Sequence, residues 1–220
     1  MIDRGIKFDD IHSYYDLDLI LSSVDIPPAK PKEEYIDIPG SDEPVDLTEA
    51  HGEVNFKPRD CKFTFTMNPA NDLSDYAFEV KKTEVSNALN GKKCKIILDK
   101  DDLYFYEGRC TVDEYLSDKR IRQIVVTAKV KPYKFKVKET EVSATLSTTA
   151  KTLTLTNGRK TVVPSITCTN ANTTVVFEGN SFTFNAGTHK NLNIRLKHGN
   201  NTIQVKGSGT VTFKYREGDL

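Results

Sequence analysis

The segment Tyr35–Phe65, YIDIPGSDEPVDLTEAHGEVNFKPRDCKFTF, decides how the chain is read. Tyr35, Ile36 and Ile38 precede Pro39-Gly40, and Val45 and Leu47 follow Pro44. Apolar residues on both sides of a Pro-Gly pair predict a β-hairpin with its turn near Gly40–Glu43. Further on, Phe63, Phe65 and Met67 alternate with polar residues in CKFTFTM, which predicts a strand with one buried face. The same stretch holds His51 near Asp46, Glu49 and Glu53. A histidine among carboxylates can ligate metal or act as a base, so the stretch is either a chemical site or a frame for assembly.

The surroundings are also strand-like. Upstream, MIDRGIKFDDIHSYYDLDLILSSVDI alternates loosely and reads as short strands. Pro27, Pro28 and Pro31 then stiffen an extended connector. Downstream, NDLSDYAFEVKKTEVSNALN (Asn71–Asn90) is the one helix candidate. Leu73, Tyr76, Ala77 and Val80 fall at helical spacing, and Ala88 and Leu89 close the pattern. Asp72 or Ser74 can cap its start and Gly91 its end, while a phase slip predicts a break near Thr83. Strands resume with KCKIILD, a tight KDD turn and LYFYEG. RCTVDEYLS and IRQIVVTAKV make a further hairpin about Asp118-Lys119. Pro132 interrupts KPYKFKVKE, and a domain boundary is placed near Val137, giving domains 1–137 and 138–220.

The second domain reads as short strands: TLTLTN, VVPSITCTN, TTVVFEG, FTFNAG, LNIRLKHG, NTIQVKG and GTVTFKYRE. Turn signals recur about every 8–12 residues, which predicts a β-sandwich of jelly-roll or galectin-like character. No internal repeat is visible.

Composition agrees with a β-rich chain. The 220 residues are 37% hydrophobic and contain no Trp, and Thr, Val, Lys and Asn are plentiful. This length fits one large domain or two small ones. No apolar run approaches the roughly 18 residues of a membrane span. The first 30 residues lack a basic start followed by an apolar core, so no signal peptide is expected. The expected history is synthesis in a cytoplasm, then retention, release by lysis or packaging in an assembly. Cys61, Cys94, Cys110 and Cys168 are far apart in sequence without a C-x-x-C pair, which argues against zinc and for buried apolar thiols. Net charge is zero but unevenly spread. Residues 1–137 hold 21 basic and 26 acidic side chains, and residues 138–220 hold 10 and 5. Residues 1–53 hold 4 basic against 14 acidic, so the two regions are expected to face different surroundings.

Candidate chemistry is sparse. His51 has no HExxH or HxH context and reads as loop surface. Asp16 and Asp18 in DLDL would share one face of a strand, and Asp101-Asp102 suit a hairpin turn. Gly207 and Gly209 in KGSGTVTF open a strand rather than a helix, which excludes a phosphate loop. There is no G-x-S-x-G. Lysines alternating with Tyr133 and Phe135 in KVKPYKFKVK raise nucleic-acid contact, against a linker strand with solvated lysines. Asn172 and Asn200 match the glycosylation pattern but lack a secretory signal. Phe177, Phe182, Phe184 and Phe213 sit at strand positions that suit a core better than a sugar platform. No catalytic, cofactor-binding or metal residue is therefore assigned, and no enzyme activity is expected. A carbohydrate-binding module that contacts host cell-wall polysaccharide through the C-terminal domain is the alternative to an assembly role; an unrecognised hydrolase is a third class.

The order of features resembles the distal tail protein (Dit) family of siphophages. GIKFDDIHSYYDLDLIL is similar to that family's G-x-x-F opening, which leads to a short loop and DLGL-like residues. IDIPGSDEPVDLTEAHGEVNFKPR resembles its VPG hairpin, acidic LDL strand and G-x-x-x-Y-x-x-R strand, with Gly52, Phe56 and Arg59 at the matching places. Phe56 stands where Tyr is commoner, and Pro58 where Asn or Asp is common. The helix, LNGKKCKIILDKDDLYFYEGR and the KPYK junction follow in order. The ending HGNNTIQVKGSGTVTFKYREGDL looks like the family's G-x-N-x-I and F-x-Y-R-x-G-x-L close. The resemblance spans nearly the whole chain and rests on colinearity, since each motif alone is a generic turn or strand.

The resemblance implies a mainly β fold: an N-terminal β-sandwich-like ring domain with one helix and a β-hairpin, and a C-terminal galectin-like β-sandwich. It implies a structural virion tail protein that forms a homo-hexameric ring hub between the tail tube protein and the baseplate, or tail-tip (tail-associated) protein. DNA would pass through the channel without specific binding. The C-terminal domains would project outward, in some relatives holding receptor-binding proteins. It carries no catalytic residue, cofactor or membrane contact to this chain. An acidic ring domain agrees with it, because carboxylates repel phosphate. The hairpins near residues 35–65 and 92–130 offer edges for pairing between neighbours.

Overall fold

The computed structural model describes residues 5–50, 52–118 and 121–220, so His51 and the Lys119 half of the expected Asp118-Lys119 turn lie outside the described residues. The chain divides into two compact units, the first running up to Lys134 and the second comprising Phe135–Asp219.

The first unit contains β1 (Ile6–Phe8), β2 (Ile11–His12), β3 (Leu19–Asp25), β4 (Tyr35–Ile36), β5 (Val45–Asp46), β6 (Arg59–Met67), α1 (Asp75–Leu89), β7 (Lys93–Leu98), β8 (Tyr104–Asp118) and β9 (Ile121–Val130). All but β4 and β5 join one antiparallel ladder in the order β2-β1-β7-β8-β9-β6-β3. The alternation of β6 puts Cys61, Phe63, Phe65 and Met67 inward, as the CKFTFTM pattern requires. Strands β1 and β6 are four ladder steps apart, which in a flat sheet is about 19 Å. Yet the Phe8 ring lies 6.3 Å from Phe63 and 6.2 Å from Phe65, edge to face. The sheet therefore curls over so that its two ends share one core, which also holds Ile6, Leu19, Ile96, Ile124 and Val126.

The helix corrects the sequence reading on two points. It is continuous through Thr83, where a break was expected, and Thr83 Oγ1 donates to the Glu79 carbonyl at 3.1 Å. Its buried stripe is Phe78, Val85 and Leu89, whereas Tyr76 is 79% and Val80 51% exposed. Phe78, Val85 and Leu89 recur every two and then one more turn, and Tyr76 and Val80 lie about 160° away on either side. Ser74 is the cap: its Oγ accepts from the Ala77 N–H at 3.2 Å. Leu73 packs against the core from ahead of the helix.

Two further expectations are revised. LYFYEG and RCTVDEYLS form one strand, β8, with a register shift only between Val112 and Glu114. Gly108 does not break it. A Cβ there would lie 2.4 Å from the Lys129 carbonyl oxygen, so the glycine permits close approach to β9. Asp16 lies in a turn and Asp18 has φ +52°, so the two do not share a strand face. Leu17 and Leu19 take the buried positions instead.

β10 (Lys134–Lys136) runs across the division between units. The second unit continues with β11 (Thr140–Thr145), β12 (Lys151–Asn157), β13 (Ser165–Cys168), β14 (Thr173–Phe177), β15 (Asn180–Phe184), β16 (Gly187–Lys190), β17 (Gly199–Lys206), β18 (Thr210–Tyr215) and β19 (Gly218–Asp219). Two four-stranded antiparallel sheets, β11-β18-β13-β16 and β12-β17-β14-β15, form a β-sandwich. Ile166, Val211 and Phe213 of one sheet share a core with Leu155, Val175 and Ile203 of the other. Gly207 (φ +146°) and Gly209 (φ +82°) carry the chain from β17 in one sheet to β18 in the other. LNIRLKHG is not a strand of its own: before β17 begins at Gly199 only Leu196 bridges, to Val162, although Ile194 and Leu196 are buried. Asn191 turns the chain there, its Oδ1 accepting from Asn193 N–H and its carbonyl from Ile194 N–H.

Phe8→Ala is expected to destabilise the first unit by ~3–5 kcal/mol and Tyr76→Ala by less than ~0.5 kcal/mol. Urea unfolding of the two variants checks this. A costly Tyr76→Ala with a silent Phe8→Ala would reverse the assignment of the core.

Candidate functional site

Among the described residues the β4–β5 ribbon stands as a separate two-stranded sheet outside the core of the first unit. Its two strands pair only with each other, in the register Tyr35↔Asp46 and Ile36↔Val45. Pro39-Gly40 forms its turn: Ser41 N–H donates to the Ile38 carbonyl at 3.0 Å, with Gly40 at φ +85°. That is the type II arrangement, in which proline presets the first corner and glycine supplies the positive φ. Ser41 Oγ then donates to the Glu43 carbonyl at 2.9 Å and closes a second bend. The base is held by Leu47 N–H on the Glu34 carbonyl (2.8 Å) and by the Pro31–Phe56 bridge. Phe56 packs edge to face on Tyr133, 5.9 Å away.

Every residue from Lys32 to Asp46 is exposed. Tyr35, Ile36, Ile38 and Val45 thus place four apolar side chains in solvent, at 56%, 50%, 48% and 42% exposure. Between Glu33 and Asp46 there are six carboxylates, Glu33, Glu34, Asp37, Asp42, Glu43 and Asp46, and no basic residue. Hydrogen bonds from Thr48 hold the exposed Asp46 below the usual carboxylate range. A two-stranded ribbon without a core is marginal alone, and clustered exposed apolar residues mark interaction surfaces. At the β3 end of the ladder the edge is bulged between Leu21 and Ser23, which limits continuous pairing along it.

Other candidates resolve into structural roles. Asp101 ends a 3-10 turn and pairs with Lys134 at 2.8 Å. Lys131 and Lys136 face Glu107 and Glu217, so three lysines of KVKPYKFKVK are matched to carboxylates rather than presented together. Tyr133 and Phe135 are packed, the latter buried. Phe177, Phe184 and Phe213 are buried and Phe182 packs against the same core. Among the described residues of the second unit, the large exposed apolar side chains are aliphatic, with Leu192 the most exposed. Asn172 takes a positive φ at a turn, and Asn200 accepts from Thr156 Oγ1 at 2.8 Å. Arg59 is buried in the first unit, its guanidinium 5.1 Å from the centre of the Tyr106 ring.

Sequence reasoning missed one histidine–carboxylate pair. His12 Nδ1 accepts from the N–H groups of Tyr14 (3.1 Å) and Tyr15 (3.3 Å), which leaves Nε2 to donate to Asp99 Oδ1 at 3.1 Å. Both ring nitrogens are thus occupied in fixing the loop after β2. The neighbouring Ser13 Oγ accepts from Ile6 N–H at 3.0 Å and is buried, so the group is a clasp rather than a nucleophile and base. The two residues lie 87 positions apart, beyond any local motif. Among the described residues no group of three or more metal-ligating side chains comes together. No helix among them is long and apolar enough to cross a membrane.

No family model matches the sequence, and no curated protein matches it. Its fold is similar to the crystal structure of the SPP1 Dit (gp 19.1) protein, described as a paradigm of the hub adsorption apparatus in Gram-positive infecting phages. The TM-score is 0.70 at 13% sequence identity, and the likeness covers 96% of this chain and 98% of that one. The chain therefore has the Dit fold along nearly its whole length.

Glu107 of β8 pairs with Lys93 at 2.7 Å and with Lys131 at 2.5 Å. Lys131 and Lys93 hold its carboxyl down to about 2. A lowered folded-state value stabilises above the unfolded carboxylate range near 4.5, and that contribution is lost as pH falls toward about 2. Glu107→Gln should lower the melting temperature most above about pH 4.5, where the contribution is fully present, and least near pH 2, so that part of the acid limb flattens. An unaltered acid limb would show that the pair contributes nothing measurable.

Proposed function

We propose that this chain is a structural virion tail protein that forms a homo-hexameric ring hub between the tail tube and the baseplate or tail tip. The observation that carries this reading is the end-to-end likeness to the fold of a phage hub protein, which covers both units of this chain. In this reading residues 1–137 build the ring, and residues 138–220 project outward as a galectin-like platform where tail-tip or receptor-binding proteins dock. The protein is made in the bacterial host cytoplasm and carried in the tail.

The ribbon supports ring closure. Head-to-tail contacts form a ring when the rotation between copies closes, and they need two different complementary surfaces on each copy. Tyr35, Ile36, Ile38 and Val45 form one such surface, which the folded unit itself leaves uncovered. The surrounding carboxylates make the ring domain acidic, and a channel lined by them lets a polyanion pass without attractive contacts. The fold match is to a hub protein, which supports a structural rather than an enzymatic role.

Light scattering of the full chain, alone and with its tail partners, should show a species of about 150 kDa, six times the 24.7 kDa chain. Negative-stain images should show a sixfold ring. Ile36→Asp with Ile38→Asp should leave a folded monomer with an unchanged melting temperature, because neither side chain contributes to the core. A virion reconstruction with this protein on outer fibres, in threefold symmetry or around a basic channel would overturn the proposal.

A further inference from the structure

All four cysteines are free and buried. Cys94 and Cys110, sixteen residues apart in sequence, are brought together by the pairing of β7 with β8, their Sγ atoms 3.3 Å apart. The register explains the approach. Cys94 lies directly opposite Gly108, and its thiol lies beside that of the diagonal neighbour Cys110. Cys110 itself sits at a bulge, donating its N–H to the Lys92 carbonyl (2.8 Å) while its carbonyl accepts from Gly91 N–H (2.9 Å). Gly91, at φ +75°, lies between the end of α1 and β7. Closing the gap to a bonded distance of about 2.05 Å is a movement of little more than 1 Å.

The two thiols are not equivalent. A cavity of about 380 Å³, lined by Phe8, Asp9, Leu89, Lys92, Cys94 and Arg109, opens onto Cys94 and not onto Cys110. Cys94 is 6% exposed and Cys110 is fully buried. Donation from the Cys110 thiol, aided by Lys92, holds Cys94 below the ordinary thiol range against the opposing effects of burial and Asp9. The same hydrogen bond and burial push Cys110 up. Cys61, separated from Cys110 by Ala128 of β9, is pushed by burial up to about 11 and serves as an internal reference for an inert thiol.

We propose that Cys94 and Cys110 are a redox pair, which a hydroperoxide entering the cavity converts to a cross-strand disulfide with Cys94 as the attacking and Cys110 as the resolving thiol. The Cys94 thiolate attacks one peroxide oxygen and the O–O bond breaks. The departing hydroxide takes up a proton as water, and Cys94 becomes a sulfenic acid. The Cys110 sulfur then attacks the Cys94 sulfur as the S–O bond breaks. The hydroxyl leaves as water with the Cys110 proton. Two thiols lose two electrons and two protons, and one hydrogen peroxide becomes two waters. The bond would tie the start of β7, where the chain leaves α1, to the centre of β8.

The test uses the full chain, reduced and then exposed to hydrogen peroxide. Free thiols titrated under denaturant should fall from four to two, and the chain mass should drop by two hydrogen atoms. A tryptic map should show Cys94 linked to Cys110, reversed by dithiothreitol. In Cys110→Ala, Cys94 should stop at the sulfenic acid and be captured by dimedone; in Cys94→Ala, Cys110 should stay reduced. Retention of all four thiols would overturn the proposal, as would linkage through Cys61 or Cys168, or stable Cys94 sulfenic acid in the unsubstituted chain. If either variant fails to fold, the map of the unsubstituted chain decides alone.

Discussion

The contact of Phe8 with Phe63 and Phe65 is the constraint on which the first unit depends. Hydrogen bonds along the ladder set each strand against its neighbour but say nothing about how far the sheet bends. The fully buried aromatic rings of β1 and β6 do, because three other strands lie between them in the ladder. Each buried Phe removes well over a hundred square ångströms from water, so the curl is driven by apolar burial. Once the sheet has closed over this core, Val85 and Leu89 of α1 join the same cluster. The loop after β2 is then fixed from outside by His12 on Asp99.

A core completed in this way leaves the β4–β5 ribbon outside it. Its geometry is locally determined, by a Pro-Gly turn and a few hydrogen bonds, and its exposed apolar side chains lie outside the hydrophobic core of the described residues. Carboxylates interleaved with those side chains keep the ribbon hydrated and oppose random association through its apolar face. A surface that is costly to leave in water and also strongly negative suits a partner that offers an apolar seat away from other anions.

The second unit is closed by polar contacts as well as apolar ones. Tyr215 of β18 donates its hydroxyl to the Thr156 carbonyl at 2.6 Å, joining the two sheets, and burial pushes its phenol up to about 12. Asn157 Nδ2 donates to the carbonyls of Lys160 and Leu196, and Asn201 Nδ2 to those of Leu155 and Lys197. Leu196 and Lys197 lie in the irregular LNIRLKHG segment, so these buried amides satisfy two of its backbone carbonyls. The side chains of Asn157 and Asn201 thus support the sandwich from outside that segment.

The sequence alone determined whatever depends on near neighbours. Phe63, Phe65 and Met67 declare a half-buried strand because side chains alternate every second residue. Pro39-Gly40 declares a hairpin turn because those two residues restrict and permit the needed φ values. Ser74 caps its helix for a reason equally local. The tertiary structure decided whatever depends on which distant surface arrives. The helix offered two apolar stripes, and the core took Phe78 over Tyr76 and Val80. Gly108 reads as a break until β9 lies against it, when the lack of a Cβ becomes the reason the strand continues. Cys94 with Cys110, and His12 with Asp99, are unrelated positions until strand register brings them together. Register is fixed by the sum of burial across the sheet, and no local pattern carries that sum.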